Sequence, residues 1–327
     1  MDGKQPVEVA KSGSARADGP WTVRRLLAWI NGYLGEREVD SARVVAEILV
    51  SEVLGVERLR LYMEPERELD ADELARLRAL VTRAGRHEPV QYLVGKWSFF
   101  GRDFLVAPCT LIPRPCTETL VEEALRWYRA RGGGSVRALD LCTGTGCIAI
   151  SLALGLRAIA RPSGAGCRPL QAGGEAAPQG ESPLRVVATD LVPEAVELAR
   201  VNARRLGAEV DLRCGSMWAP IEAGESFDLV ASNPPYITDD EYAALDRNVR
   251  EYEPASALRG GPDGLRFVRE VVAGAAERLA PGGLLLVEIG WKHGDAARSL
   301  ASGPAWTGAS ILKDSEGIDR VLRAVHA

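Results

Sequence analysis

Residues 136–156 read VRALDLCTGTGCIAISLALGL, and this stretch decides the fold. The apolar run from Val136 to Leu141 predicts a buried strand, and the run from Cys147 to Leu156 predicts an apolar helix. Two glycines in the turn between them, Cys142 to Gly146, let backbone N–H groups approach a ligand closely, and the start of the helix favours an anion. Strand, glycine turn and helix together predict a nucleotide-type binding cradle in an α/β domain.

A second strand that ends in an acid follows further along the chain. The stretch RVVATD predicts a strand that ends at Asp190, and Pro193 and Glu194 suit the first turn of a helix. An acid at this place can bind ribose hydroxyls; the alternative is that Asp190 caps the helix. The spacing exceeds the roughly 20 residues of a dinucleotide fingerprint. Residues 157–184 account for the excess, because they are rich in Gly, Pro, Ala and Arg, show no period and predict a mobile insertion.

The segment NPPY, from Asn233 to Tyr236, follows a third predicted strand, Ser226 to Ser232. The prolines fix φ and remove backbone donors, so the Asn233 side-chain oxygen and the Pro234 carbonyl can act as rigid acceptors for the two N–H bonds of a planar NH2 group. Tyr236 can cover that group with its ring. A Pro-rich turn without function is the alternative. The motif lies at the carboxyl end of a strand, which is where open α/β sheets bind ligands. Its acceptors for a planar NH2 group point towards methyl transfer to an amide or amino nitrogen.

The remaining apolar segments complete a doubly wound sheet of about seven strands with helices between them. In chain order they predict a helix, a turn, a buried strand and a closing antiparallel pair: Leu265 to Leu279, Pro281 to Gly283, Leu284 to Ile289, Gly308 to Leu312, and Arg320 to Val325.

The first part of the chain predicts a separate organisation. Residues 1–20, small and polar, predict a disordered tail, and residues 21–87 predict a small helical domain. Its apolar residues recur at helical spacing: Val44, Ile48, Leu49, Leu74, Leu77, Leu80 and Val81. A bundle core explains this stripe, and a partner-binding face is the alternative. Residues 88–115, where aromatics lie among glycines, predict a hairpin or linker, and residues 116–327 form the α/β domain.

Composition narrows the class of function. With 40 basic and 45 acidic residues the formal charge is −5, which argues against extended binding of a phosphate backbone. Six cysteines form no Cys-x-x-Cys pair, and with three histidines they give no metal-ligand spacing, so we expect reduced thiols and no metal. No apolar run is long enough to span a bilayer, and no signal peptide opens the chain. We expect a cytoplasmic enzyme.

With these motifs in place, the chain resembles the release-factor glutamine methyltransferases (the PrmC/HemK family), a group of class I S-adenosylmethionine-dependent methyltransferases. The resemblance covers roughly residues 21–327. An Asn-Pro-Pro-Tyr motif alone is shared with enzymes that methylate adenine N6 or guanine N2, whereas the stretch LIPRPCTE at 111–118 is much narrower. The other matching segments are Asp140 to Gly146, Asp190, Ser216 to Trp218, Asn233 to Tyr236, and Arg250 to Pro254.

The resemblance implies a seven-stranded Rossmann-like methyltransferase sheet and an amino-terminal helical domain that helps to dock a protein substrate. It implies methylation at N5 of the glutamine in the Gly-Gly-Gln motif of peptide chain release factors, with S-adenosylmethionine as donor. The implied donor contacts are Cys142, Thr143, Gly144, Thr145, Gly146, Asp190, Trp218 and Asn233. The implied glutamine site is Asn233, Pro234, Pro235 and Tyr236, with Asn233 and Pro234 as the catalytic acceptors. We expect a monomer with no direct nucleic-acid substrate.

Two positions depart from the family pattern. Cys142 and Cys116 stand where that pattern has glycine and aspartate. Because Cys142 brings a β-carbon into the cradle, we expect a backbone conformation there that an L-residue tolerates, with adjusted affinity for the donor. Cys116 removes a charge near the expected site entrance.

Several further side chains have two interpretations. Arg114 can contact the substrate or the donor carboxylate, or it can pin its loop to Glu118. Trp218 can border the adenine ring or pack against the sheet. Four acids are expected as surface or supporting charges: Glu118, Glu251, Glu253 and Glu288.

Three classes of function stay open from the sequence. The first is a protein glutamine methyltransferase that acts on a release factor or, as a near relative, on a ribosomal protein. The second is an adenine N6 methyltransferase of nucleic acid, which predicts a basic groove or a target-recognition domain. The third is a catalytically silent donor-binding protein, which predicts damage to the Asn233 motif. That motif is intact, and neither a basic groove nor a target-recognition domain is evident in the sequence, so the first class is favoured.

Overall fold

A computed structural model describes residues 19–160 and 184–327. The chain divides into two compact units, Met1–Val90 and Gln91–Ala327. The expected disordered tail lies outside the described residues except for Gly19 and Pro20, and so do residues 161–183 of the expected insertion. Residues 157–160 at the start of that insertion belong to a helix, and Leu184 at its end begins a strand.

From residue 19 onwards, where the structure describes it, the first unit contains four helices: α1 (Val23–Gly35), α2 (Ala42–Leu54), α3 (Arg58–Met63) and α4 (Ala71–Ala84). The start of α4 is fixed by a capping box, in which Asp70 and Glu73 each bond the other's backbone N–H. Side chains four residues apart on α1, Leu26, Ile30 and Leu34, are buried. Leu49, Leu77 and Val81 join this core as predicted, whereas Val44 is exposed and its neighbour Val45 is buried in its place.

The second unit begins around a short helix and a hairpin: α5 (Val90–Val94), β1 (Lys96–Phe99) and β2 (Arg102–Leu105). The two strands pair antiparallel through Phe100 and Gly101, which both have positive φ and form the tight turn that matches strand twist. The predicted hairpin is therefore present.

The α/β domain follows in chain order. Its elements are α6 (Glu118–Ala130), β3 (Val136–Leu141), α7 (Cys147–Ala160), β4 (Leu184–Asp190), α8 (Pro193–Leu206), β5 (Asp211–Cys214), β6 (Phe227–Ser232), β7 (Ile237–Thr238), α9 (Asp239–Ala243), α10 (Arg247–Arg250), β8 (Arg259–Gly261), α11 (Arg266–Arg278), β9 (Leu279–Glu288), α12 (Gly294–Leu300), β10 (Trp306–Lys313) and β11 (Asp319–His326).

Seven strands form one sheet in the order β10-β11-β9-β6-β3-β4-β5. Strands β9, β6, β3, β4 and β5 run parallel, and β11 and β10 close the edge antiparallel. This confirms the predicted seven-stranded doubly wound sheet. The strand order reverses beside β3, between its neighbours β4 and β6. Ligands bind at such a switch point, outside the carboxyl ends of the strands.

Helices cover both faces of the sheet. On one face, Leu120 of α6, Ile148 and Leu152 of α7 and Ala199 of α8 pack in one apolar cluster with strand residues such as Ala231. On the other face, residues of α11 and α12 pack with the alternate strand residues in a second cluster. It contains Val268 and Val271 of α11, Ala297 of α12, and the strand residues Leu139, Val230 and Leu285. Since neighbouring residues of a strand point to opposite faces, burial on both faces explains why the sequence of these strands is continuously apolar.

Two boundaries differ from the predictions by four residues or more. Helix α7 continues to Ala160, four residues beyond Leu156, because Arg157 to Ala160 contain no helix breaker and Pro162 is the first. Strand β9 begins at Leu279, so the predicted turn at Pro281 to Gly283 lies inside the strand. The pairing with β6 shifts register there, and Gly282 has φ +74°, which identifies a bulge and not a break.

Candidate active site

A cleft lies at the carboxyl ends of β3, β4 and β6 and holds about 950 Å³ of atom-free space, part of it open to solvent. Six segments of the chain and one residue of α11 form its wall. They are Cys109 to Leu111 with Pro113, Arg114 and Thr117; Cys142 to Thr145 with Cys147 and Ile148; Thr189 to Val192; Ser216 and Met217; Asn233 and Pro235; Ser256 and Ala257; and Phe267. The cleft is therefore built from separate loops that the parallel strands bring to one edge, as predicted for a ligand site in this kind of sheet.

The glycine turn after β3 lies in the cleft wall from Cys142 to Thr145. Cys142, Gly144 and Gly146 all have positive φ. Gly146 itself is behind the wall, where a β-carbon would come within 2.9 Å of Ile150 and 3.1 Å of Ala199. The turn thus needs Gly146 for the close approach of α7 to α8, and it needs Gly144 for a left-handed backbone beside the cleft.

Asp140 holds this turn from below. Its Oδ2 accepts hydrogen bonds from the Thr143 hydroxyl at 2.6 Å and from the Ala149 N–H at 3.1 Å. The acid at the amino terminus of α7 is thus Asp140 itself, which the sequence did not single out for this role. Complete burial raises the pKa of Asp140 to about 7, against the two hydrogen bonds that lower it.

Asp190 lies at the end of β4 in the cleft wall. Its two oxygens accept from the Gly144 N–H at 2.8 Å and from the Val192 N–H at 3.0 Å. The residue at the N-cap of α8 is Val192, with no side-chain cap, so Asp190 is not the capping residue. Burial raises the pKa of Asp190. Each oxygen of a carboxylate can accept a second hydrogen bond, so ligand hydroxyls remain possible partners.

Asn233 enters the cleft wall directly after β6. Its Nδ2 donates to the Thr117 hydroxyl at 3.2 Å, which leaves Oδ1 for another donor. Pro235 also lies in the wall, whereas Pro234 and Tyr236 do not. The Tyr236 hydroxyl donates to Glu288 Oε1 at 3.1 Å, and burial raises its pKa well above the usual value.

Trp218 is outside the cleft wall. Ser216 and Met217, which precede it in the chain, line the cleft in its place. Met217 has φ +49°, which turns the chain so that the next side chain leaves the cleft. The indole N–H of Trp218 donates to the Glu270 carbonyl at 3.0 Å, and its ring lies against Gly274 of α11. The structure therefore supports the packing interpretation of Trp218.

The loop from Cys109 to Thr117 is tied down by a buried acid. Glu253 accepts from the Arg114 guanidinium and, at 3.1 Å, from the Ile112 N–H. Glu118 instead accepts from the Phe100 N–H at 2.7 Å, so the alternative in which Arg114 pins its loop to Glu118 is wrong. The Tyr92 hydroxyl holds the same loop by donating to the Thr110 carbonyl at 2.6 Å.

Two of the four acids expected as surface or supporting charges are buried. Glu253 has 4% and Glu288 has 0% of its surface exposed. Burial raises the pKa of Glu288, although hydrogen-bonding neighbours lower it. Cys116, in place of the family's aspartate, lies with its Sγ 3.9 Å from Glu288 Oε1, and burial raises its pKa to about 11. The thiol is therefore protonated at neutral pH and can donate weakly to Glu288.

Metal and membrane sites are not found in the part of the chain that the structure describes. Among residues 19–160 and 184–327, no group of three or more His, Cys, Asp or Glu side chains is placed to hold a metal ion. The cysteines described there, at 109, 116, 142, 147 and 214, are free thiols. Within the same residues, no helix has the length and apolar character needed to cross a membrane.

Two family models match the chain. Residues 25–95 match the model described as the PrmC N-terminal domain, and residues 136–240 match the model described as an RMKL-like methyltransferase domain. The second match begins with β3 and contains the glycine turn, Asp190 and the Asn233 motif.

Curated proteins match over almost the whole length. A release factor glutamine methyltransferase from Geobacter sulfurreducens is 41% identical over 302 residues, which cover 92% of this chain and 96% of the relative. Those from Koribacter versatilis and Bacillus subtilis are 36% and 35% identical, and cover 89% and 93% of this chain and 93% and 98% of theirs. Among solved structures, a methyltransferase from Pyrococcus furiosus superposes with a TM-score of 0.43 at 18% identity, over 79% of this chain and 98% of that one.

Proposed function

The chain belongs to the family of release factor glutamine methyltransferases, and from this premise we propose that it methylates N5 of the glutamine side chain in the Gly-Gly-Gln motif of a peptide chain release factor. The methyl donor in this proposal is S-adenosylmethionine, and no metal takes part. The structural observation that carries the proposal is Asn233, whose amide lies in the wall of the cleft with Nδ2 engaged and Oδ1 available.

The cleft suits the donor for three reasons. Asp190 offers carboxylate oxygens for the ribose hydroxyls at the end of β4, the place where such an acid binds ribose in doubly wound folds. The backbone of Thr143 to Thr145 lies in the cleft wall. A β-carbon at Gly144 would make only an ordinary contact, 3.9 Å from Thr110, so the positive φ of +54° is the reason that glycine suits this position. Met217 and Phe267 supply apolar wall area for a flat ring.

The chemical demand on the protein is alignment. When bound, the donor supplies an electrophilic methyl carbon on its sulfonium. An amide nitrogen is a poor nucleophile because its lone pair is delocalised into the carbonyl. Asn233 Oδ1 and the Pro234 carbonyl accept the two N–H bonds of the glutamine amide, which increases the electron density on nitrogen and favours a pyramidal geometry. The carbon–nitrogen bond forms as the carbon–sulfur bond breaks, and the methylated nitrogen then loses a proton to water.

Catalysis of this kind needs no histidine base, because the nitrogen becomes acidic only after it has gained the methyl group. The acceptors fix the nitrogen on the line of attack, and that positioning is the largest contribution we assign to the site. The release factor is the proposed partner. The near relatives of this function are methylation of a ribosomal-protein glutamine and of adenine N6, since each offers a planar NH2 group.

The test is to incubate the full chain and an isotopically labelled methyl donor with purified release factors, ribosomal proteins and DNA, and to locate the label by mass spectrometry. We expect the label on the Gly-Gly-Gln glutamine. Label on adenine with none on glutamine refutes the proposed substrate.

The role of Asn233 has its own test. We expect Asn233→Ala to lower the rate of methylation by about 10²- to 10³-fold, the usual loss for one positioned polar group in an active site, with little change in melting temperature. Asn248→Ala is the matched control, since the Asn248 side chain bonds only the N–H of its neighbour Val249. Undiminished turnover in Asn233→Ala contradicts the assignment.

A further inference from the structure

Asn202 is a fully buried amide on α8, and its side chain bonds the backbone of two distant segments of the chain. Its Oδ1 accepts from the Leu105 N–H at 2.8 Å. Its Nδ2 donates to the Leu105 carbonyl at 3.0 Å and to the Thr145 carbonyl at 2.9 Å. Since an amide has two N–H bonds, both donors are used. Asn202 therefore joins the hairpin, the glycine turn and α8 at one point.

The backbone partners fix the direction of the Asn202 amide. A backbone N–H only donates and a backbone carbonyl only accepts. If Oδ1 and Nδ2 exchanged places, an oxygen would face two carbonyl oxygens and the NH2 group would face an N–H. The orientation does not depend on any charge, because the amide and its three partners are neutral. Because the site is buried, each of these bonds is costly to lose.

The first segment that Asn202 holds is the end of the hairpin. Leu105 is the last residue of β2, which pairs with β1 on one side. On the other side, Asn202 bonds both the N–H and the carbonyl of Leu105, as a residue of a neighbouring strand does. Residues 106–114 follow without a helix or strand and contribute Cys109 to Leu111 to the cleft wall. The bonds at Leu105 thus fix the point from which this part of the wall begins.

The second segment is the glycine turn after β3. Thr145 lies in the cleft wall, and its carbonyl accepts from Asn202. One residue earlier, the Gly144 N–H donates to Asp190, the acid that we propose for the ribose. The turn is therefore held at neighbouring residues by Asp190, which lies in the cleft wall, and by Asn202, which lies outside it.

The two segments meet in the cleft. Thr110 and Gly144 both belong to its wall, and a β-carbon at Gly144 would lie 3.9 Å from Thr110. Asn202 bonds the chain five residues before Thr110 and one residue after Gly144. Because one amide fixes the backbone of both segments, its loss allows them to shift relative to each other and changes the width of the cleft between them.

We propose that Asn202 is a positioning residue for the methyl donor, which sets the spacing between Cys109 to Leu111 and Cys142 to Thr145. Asn202 does not contact the ligand, and its effect passes through the backbone of Leu105 and Thr145. The proposal rests on the proposed function in that the cleft binds S-adenosylmethionine.

The experiment is isothermal titration calorimetry of the full-length protein with S-adenosylhomocysteine. Asn202→Ala removes all three bonds of the amide. We expect the dissociation constant to rise by about 10-fold, which corresponds to the weakening of about one hydrogen bond between protein and ligand. At saturating donor, kcat and the KM for the acceptor should change far less, because none of the three bonds reaches the segment from Asn233 to Tyr236.

A role in stability alone gives a different result. Unfolded molecules lower the number of binding sites and leave the affinity of the folded molecules unchanged. A variant that is about nine-tenths folded therefore shows a dissociation constant only about 1.1-fold higher.

Two matched controls separate the cleft from general loosening. Tyr128→Phe removes the bond from the buried Tyr128 hydroxyl to the Gly134 carbonyl at 2.7 Å, outside the cleft wall. Arg205→Ala removes another bond between α8 and β2, from Arg205 Nη1 to the Asp103 carbonyl at 2.9 Å, and does not affect the glycine turn. Both variants should bind S-adenosylhomocysteine as the wild type does.

An unchanged dissociation constant in Asn202→Ala overturns the proposal, and so does an equal rise in Tyr128→Phe or Arg205→Ala. If circular dichroism shows that Asn202→Ala does not fold, Asn202→Asp decides by the same titration. The aspartate keeps the size of the side chain and its acceptor oxygen, and it loses the NH2 donor to Leu105 and Thr145.

Failure of the proposed function gives a separate result. Label on adenine with none on glutamine refutes the proposed acceptor, and the expected rise in Asn202→Ala supports the role of Asn202 in either case. A wild-type protein that binds no S-adenosylhomocysteine refutes both proposals. Binding by the wild type with an unchanged dissociation constant in Asn202→Ala refutes only the role of Asn202.

Discussion

Cys142 has a backbone conformation that favours glycine. Its φ is +61°, in the small left-handed region that L-residues can adopt at a steric cost. The expected conformation that an L-residue tolerates is therefore present, but the turn keeps the geometry of a glycine turn although a thiol replaces the hydrogen. The Sγ lies 3.6 Å from Met217 Sδ, so the side chain gains a packing contact that partly offsets the strain.

The strain at Cys142 can be measured by comparing two substitutions that remove the same thiol. Cys142→Gly and Cys142→Ala both lose the contact with Met217, but only glycine adopts positive φ without steric cost. We expect Cys142→Gly to have the higher free energy of unfolding, by about 1 kcal/mol, in urea denaturation.

Cys147 is the matched control for this comparison. It is another cysteine of the cleft wall, and it lies at the first residue of α7 outside the positive-φ positions. There the order should reverse, because alanine is favoured over glycine in a helix. The same order at both positions would exclude backbone strain as the cause.

The role of a single residue was predictable where its type and its neighbours in sequence are enough to define that role. Asp190 and Asn233 end predicted strands, and the structure brings both to one cleft. Glu288 and Glu253 were not predictable, because a lone acid in a sequence is usually exposed and their partners are distant in sequence. The hydrogen bond from Ile112 to Glu253 joins positions 141 apart, which no local pattern encodes.

At the scale of elements, apolar runs predicted strands well and their exact ends less well. The bounds of β3 agree with the prediction because glycines and small polar residues flank a run that is mostly buried. The bulge in β9 was read as a turn, since Pro281 to Gly283 is an ordinary turn signal in isolation. Pairing with β6 at Leu279 and again from Leu284 onwards keeps the strand continuous across these residues, and this information is tertiary.

Helix α11 carries a glycine where the indole of Trp218 needs space. A β-carbon at Gly274 would collide with the Trp218 ring, and Gly274 lies inside a helix where alanine is otherwise favoured. We expect Gly274→Ala to destabilise the protein by about 1 to 3 kcal/mol through overpacking, as measured by urea denaturation.

The control for this prediction is the same change without the indole. In a Trp218→Ala background, Gly274→Ala should become stabilising by up to about 1 kcal/mol, because only the helix preference remains. A loss of equal size in both backgrounds would show that Trp218 does not occupy the space above Gly274, and it would reopen the expected place of this tryptophan beside the donor.

For the whole molecule, the sequence predicted the number of strands and the doubly wound class, and it did not give the strand order from local signals. β11 lies between β9 and β10, so the last strand of the chain is not at the edge of the sheet. A closing antiparallel pair was recognisable from two short apolar stretches, but which member contacts β9 depends on side-chain packing across the sheet. The edge of the sheet at which the parallel strands end can be predicted without knowing their order. The place of the site was therefore easier to predict than the strand order.

The last prediction concerns how occupation of the cleft stabilises the α/β unit, Gln91–Ala327. A ligand that binds only the folded state adds about 2.7 kcal/mol to the free energy of unfolding at 100 times its dissociation constant. We expect S-adenosylhomocysteine, the demethylated product of the donor, to have this effect at that concentration, as measured by hydrogen exchange of peptides from β3 and β4. Asp190→Asn should weaken binding about 100-fold through the loss of carboxylate bonds to the ribose.

At the ligand concentration used for the wild type, the stabilisation of Asp190→Asn should then fall to about 0.4 kcal/mol. The variant also weakens the bonds that Asp190 accepts from Gly144 and Val192, so its stability without ligand serves as its own baseline. Since only the increment on adding ligand is compared, a general loss of stability cannot imitate the effect. Equal increments in the two proteins would mean that Asp190 holds the glycine turn and does not bind the ribose.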